Sequence, residues 1–290
     1  MRTKRRTSST ARYSRLVVLA AFAVFAAAST AAAHDFWIIP DLFAFDADAT
    51  MEVNARQGGG KFPVGTAVQL ERIVDARIIG ATSSAKLTEM SVVGSSLTLR
   101  HKPVAAGQYV IAVGLAPRVF RETPAGIIRF LKAEGGAAEA VRLERETPFA
   151  GLDSVIFTAA SYAATVVEVG SGGPRAFAKS AGIRLEFVPM NDPSHLQVGD
   201  TLHVRVLGNG SPVPGIGIEL AAGLDRTTDA TAAVMRIPFM ADAKGVVHIS
   251  LDKAGPVMLR SAYASRKVGG TARDWDVSRT TFVFQVGAQH

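Results

Sequence analysis

Apolar and polar residues alternate from Thr201 to Leu207, with Leu202, Val204 and Val206 on one side of an extended chain and Thr201, His203 and Arg205 on the other. Side chains reverse face at every step of a strand and return only every 3.6 residues on a helix, so this stretch is a strand with one buried face. The period recurs downstream, where Val247, Ile249 and Leu251 alternate with His248 and Ser250. His203 and His248 thus both fall on polar strand faces, where they can meet as neighbours. The competing role for each is a solvated strand residue.

Similar short runs rich in Val, Ile, Thr and Leu, bounded by Gly, Pro, Asp and Ser, fill most of the chain. Thr50 to Ala55, Thr66 to Leu70, Ala76 to Ile79, Ser96 to Arg100 and Gln108 to Val113 read as strands, as do Val155 to Phe157, Ala164 to Val169, Pro256 to Ser261 and Thr280 to Val286. One helical segment stands out near 124–145. Pro124 suits a first helical turn, Ile127, Ile128 and Leu131 share a face, and Gly135-Gly136 ends the pattern, with Ala137 to Glu144 as a possible continuation.

Gly170-Ser171-Gly172-Gly173-Pro174 interrupts the strand pattern with flexible residues and a Pro. The expected architecture is mainly β, with two antiparallel sandwich-type domains. The first spans 34–170 and carries the helical insertion, 171–182 is a linker, and 183–288 is a sandwich of the immunoglobulin or transthyretin kind.

Charge decides which partners to discount. The formal net charge is +7, but six of the 32 Lys and Arg lie in residues 1–33, which hold no acid. The rest carries 26 bases against 25 acids, so it lacks the concentrated basic surface that nucleic-acid binding needs. The leader itself has a basic start ending at Arg15, an apolar run from Leu16 to Ala28, and Ala31-Ala32-Ala33. That order is a secretory signal, with cleavage expected after Ala33 and release to the periplasm; the membrane is then met only through the signal. An uncleaved anchor is the alternative, since Leu16 to Ala33 approaches the ~20 residues that span a bilayer.

Cleavage there makes His34 the first residue. Its α-amine and imidazole can both lose protons near neutrality and chelate one metal ion, and imidazole suits Cu, Ni and Zn. Against this, two nitrogens from one residue make no specific site without a further ligand. The other His, at 101, 195, 203, 248 and 290, read first as surface residues, with His203 and His248 the next candidates for a metal. No Cys is present, which excludes disulfides, thiolate metal sites and a Cys nucleophile. No G-x-S-x-G or H-E-x-x-H segment occurs, and Gly58-Gly59-Gly60-Lys61 lacks the spacing and the Ser or Thr of a phosphate loop.

Several segments together resemble a family of exported bacterial proteins, domain of unknown function 4198, commonly labelled nickel-transport-like. They are His34-Asp35-Phe36-Trp37-Ile38, Phe130 to Gly135, Leu185-Glu186-Phe187-Val188-Pro189 with Asp192-Pro193, Leu196 to Leu202, Gly210 to Gly215, Asp242-Ala243-Lys244-Gly245, and Trp275 ahead of Thr281-Phe282. The resemblance implies a periplasmic, mainly β protein of two parts linked to transition-metal handling. Members often carry a His in the strand where this chain has Tyr263, and a neutral phenol is a poor ligand for Ni or Cu. The function expected is a non-enzymatic periplasmic protein that binds Ni, Co or Cu, or a complex of one, through His34, with an envelope transporter or receptor as partner. A metal-free envelope binding module is the alternative, and a copper oxidase with an N-terminal His brace needs a second His near the first.

Overall fold

β9 (Gly107–Glu122), β10 (Val155–Val169), β17 (Gly255–Arg266) and β18 (Asp274–Val286) are the longest strands of the chain in a computed structural model that describes residues 35–59, 62–222 and 237–288. They lie side by side in the order β17-β18-β10-β9. β14 (Gly217–Ala222) and β15 (Ile237–Met240) extend this sheet beyond β17, and β5 (Ile73–Ile79) and β6 (Ser84–Lys86) extend it beyond β9; β2 (Ala44–Phe45) adds to the end of β10. All pairs are antiparallel except β10 with β18, which runs in parallel from Ile156 opposite Asp274 to Thr165 opposite Val283, and β2 with β10.

The sheet is a middle layer. Val110, Ala112, Ala164 and Val166 face one core, and Ile111, Val113, Ala163, Val167 and Val169 face another. A strand covered on both faces needs no polar side, which explains why β9 and β10 read as apolar runs rather than as alternation. Over the second core lies an antiparallel sheet of β1 (Asp35–Pro40), β3 (Met51–Gly58), β8 (Ser96–His101) and β7 (Glu89–Val93), with β4 (Thr66–Ala67) on β3. Phe36, Ile38, Val53, Leu97 and Leu99 are its contribution to that core. Over the first core lies a sheet of β11 (Leu185–Pro189), β12 (Thr201–Gly208), β13 (Ser211–Pro212) and β16 (Val246–Ser250), supplying Phe187, Leu202, Val204, Val206, Val247 and Ile249.

The mainly β, sandwich-type expectation is met, in a form that shares a layer. Residues before 171 supply one outer sheet and residues after 182 the other, yet the middle sheet takes β5, β6, β9 and β10 from the first half and β14, β15, β17 and β18 from the second. Segment 171–182 therefore joins two sandwiches that have a sheet in common, and Ala33–His290 is one compact unit. The two strands expected at Val155 to Phe157 and Ala164 to Val169 are one continuous strand, β10, with Ala159, Ala160 and Ala163 buried between them.

The helical insertion is two helices, α1 (Pro124–Ala133) and α2 (Ala137–Glu146). Thr123 caps α1 by accepting from Gly126 N, with Pro124 in the first turn. Ile127 and Leu131 are fully buried with Leu143, Phe157, Ala262 and Trp275, while Ile128 is only partly covered. Gly135 makes the break between helices: its φ is +80°, and a Cβ there would come within 2.9 Å of Arg260 Cγ. A left-handed turn pressed against an arginine stem admits only Gly.

Candidate functional site

Three places could carry function. The first is the outer face of the β12–β16 pair. The ladder sets His203 directly opposite His248, with ring centroids 4.7 Å apart and the rings nearly perpendicular. Their Nδ1 atoms are 2.5 Å apart. A hydrogen bond between two ring nitrogens needs one of them bare, so a lone pair already points into the gap. An ion with bonds of about 2.0–2.1 Å would need the nitrogens roughly 2.9–3.3 Å apart, a parting of under about 1 Å.

Side chains nearby brace the backbone of both strands. Asn191 Oδ1 accepts from His203 N at 2.8 Å, and Asn191 Nδ2 donates to Thr201 O at 3.0 Å. Before β16, Asp242 Oδ1 accepts from the N–H groups of Lys244 and Val246, each at 2.8 Å. Those backbone donors hold the Asp242 carboxyl below its usual range, helped by the charge of Lys244.

The second place is a buried ion network at the start of β1. Arg260 Nη1 donates to Asp35 Oδ1 at 2.6 Å, and Arg260 Nη2 to Glu219 Oε2 at 2.7 Å. Alongside, Arg279 pairs with Glu134 and donates to Ser161 Oγ at 2.5 Å. Burial pushes the Glu134 carboxyl above the usual carboxylate range, against the pull of Arg279. Among the described residues Glu134 Oε1 and Thr280 Oγ1 are buried without a hydrogen-bond partner. The third place is a groove of about 930 Å³, lined among others by apolar Ile39, Phe43, Val166 and Phe284 and by polar Asp41, Glu168 and Gln285.

The expected site residues fall out differently. His34 and His290 lie outside the described residues. His203 and His248 are brought together. His101 ends β8, where burial lowers its pKa. His195 sits in a short 3-10 turn, its Nε2 against Arg175, which also pairs with Glu168 and Asp192. Tyr263 lies under the Arg142 guanidinium, 5.9 Å from its ring centre. Among the described residues no three His, Asp or Glu side chains form a group that could hold a metal ion.

The acids of the resembling segments have structural work. Glu186 accepts from Ser180 Oγ and Ala181 N, Asp192 from Ser194 N, and Asp200 from Gln197 N. Residue-by-residue reading missed the Arg260 network, whose signal is a charge inside an apolar strand: Glu219 in Ile218 to Leu220, and Arg260 after Leu259.

The fold is a strand-rich architecture of three packed sheets. The chain belongs to the family described as Domain of unknown function (DUF4198), whose model matches residues 31–265. No curated protein sequence matches it. Among solved structures, trypsin-activated α-2-macroglobulin from Escherichia coli is 11% identical over 88% of this chain and 16% of that one, with a TM-score of 0.22. The chain thus spans under a fifth of that protein. The Yersinia pseudotuberculosis adhesin InvE is 12% identical over 86% and 58%, TM-score 0.19, and the E. coli adhesin FdeC 12% over 89% and 65%, TM-score 0.23. Likeness at this level carries no functional weight.

Proposed function

We propose that the chain is exported, loses residues 1–33 on reaching the periplasm, and works there as a non-enzymatic protein that binds a transition-metal ion for uptake or homeostasis. The supporting observation is the His203–His248 pair, two imidazoles opposed across a rigid ladder with their nitrogens 2.5 Å apart. Strands fix both backbones, so binding costs little ordering of the ligands. Ni, Co and Cu all accept imidazole donors, and an envelope transporter or receptor would receive the ion.

His34 is a second ligand source in this reading. Asp35, the first described residue, is locked to Arg260 inside the protein, so a chain cut after Ala33 would end one residue before a fixed anchor. Calorimetric titration with Ni, Co and Cu separates the two sources. His203→Ala and His248→Ala remove the ladder site; His34→Ala removes only the chelate of the first residue. If no ion binds any version, the metal-free module becomes the account, with the 930 Å³ groove as its binding surface.

A further inference from the structure

The ladder carries the His pair one strand further. β11 and β12 are antiparallel, with Pro189 opposite Val204, and Met190 N donates to His203 O at 2.8 Å. Met190 therefore continues the register opposite His203, whose other neighbour is His248. Opposed residues of an antiparallel ladder point to the same face. Pro189, Val204 and Val247 form the adjacent row and are buried, so Met190, His203 and His248 make a row on the outer face. Met190 is 47% exposed and packs into no core.

We propose that this row is a copper site and that Met190 gives it a preference for Cu(I). A thioether is a soft, polarisable donor, which Cu(I) accepts readily and Ni and Zn accept poorly; imidazole serves either copper state. Neighbouring strands are about 4.7–4.9 Å apart, so an ion held at His203 Nδ1 has His248 one strand away on one side and Met190 one strand away on the other. Arg205 lies two residues along β12, on the same face and exposed. Its charge repels a divalent ion more than a monovalent one. Asp242, the acid that feels His248, is already held by two backbone N–H groups.

This inference rests on the His pair being a metal site, and the test keeps the two apart. His34→Ala in every version removes the chelate of the first residue. Cu(I) affinity is measured without oxygen by competition with bicinchoninate, and Ni(II) affinity by calorimetry, for the otherwise unchanged protein, Met190→Leu and His248→Ala. Leu keeps the volume of Met on an exposed position, so the fold is retained. The proposal expects Met190→Leu to weaken Cu(I) at least about tenfold, as loss of one supporting group at a metal site does. Ni(II) affinity should stay within about twofold, and His248→Ala should lose both ions. Unchanged Cu(I) affinity in Met190→Leu overturns the copper preference and leaves the His pair standing. Failure of the unchanged protein to bind either ion, or indifference of both to His248→Ala, overturns the underlying site.

Discussion

Arg260 Nη1 and Asp35 Oδ1 meet at 2.6 Å across 225 residues of sequence, tying β1 to β17 inside the protein. Both side chains are almost wholly buried, and Arg260 shares its other end with Glu219. This contact anchors the start of β1 to the middle sheet.

Breaking it should be costly. Asp35→Ala leaves Arg260 buried with one partner fewer, and losing half of a buried pair costs about 3–5 kcal/mol. Urea unfolding of the protein from residue 34 onward reads that loss as a lower midpoint at unchanged slope. A loss near zero would mean that Arg260 finds water in the variant.

The helices make a separate test. Leu131→Ala removes a fully buried side chain from the core beneath α1 and should cost about 2–5 kcal/mol. Gly135→Ala should also destabilise, because it places a Cβ at φ +80° and within 2.9 Å of the Arg260 stem. Thermal melting of both variants checks this; a Gly135→Ala protein as stable as the parent contradicts the account of that turn.

Much of this was legible in the sequence. Alternation at Thr201 to Leu207 and Val247 to Leu251 gave each strand's face, and so both His, because one face of that sheet meets solvent. Pro124 and the Gly pair gave the start of α1 and the break after it. The shared layer was not legible: a strand buried on both faces carries no alternation, and the parallel β10–β18 pairing joins residues 118 apart at Thr165 and Val283. Met190 carries no signal in the sequence, because a single Met beside Pro189 has no period of its own. Its place follows only from register.

Because the middle sheet is shared, a nick in the exposed Ser171-Gly172-Gly173 stretch should leave the halves together. Limited proteolysis there followed by gel filtration should give two fragments in one peak. Two separately folded fragments would mean independent domains.

Glu134 and Asp242 should tilt stability in opposite directions with pH. Glu134 has its pKa raised by burial, so the native state holds the proton more tightly, and stability falls as pH rises from the unfolded value of about 4.3 through the folded one. Asp242 has its pKa lowered by backbone N–H groups. Its contribution is complete above the unfolded value of about 3.9 and is lost as pH falls through the folded one. Unfolding midpoints across pH should lose the first trend in Glu134→Gln and the second in Asp242→Asn; variants that track the parent would contradict these assignments.

The central claim is that His203 and His248 hold a transition-metal ion. Calorimetric titration of copper into the protein from residue 34 onward with His34→Ala, beside the same protein also carrying His203→Ala and His248→Ala, tests it most directly. The account predicts one ion bound by the first, more weakly as pH is lowered because protons compete for the imidazoles, and none by the second. Equal binding by both proteins, or binding by neither, would contradict it.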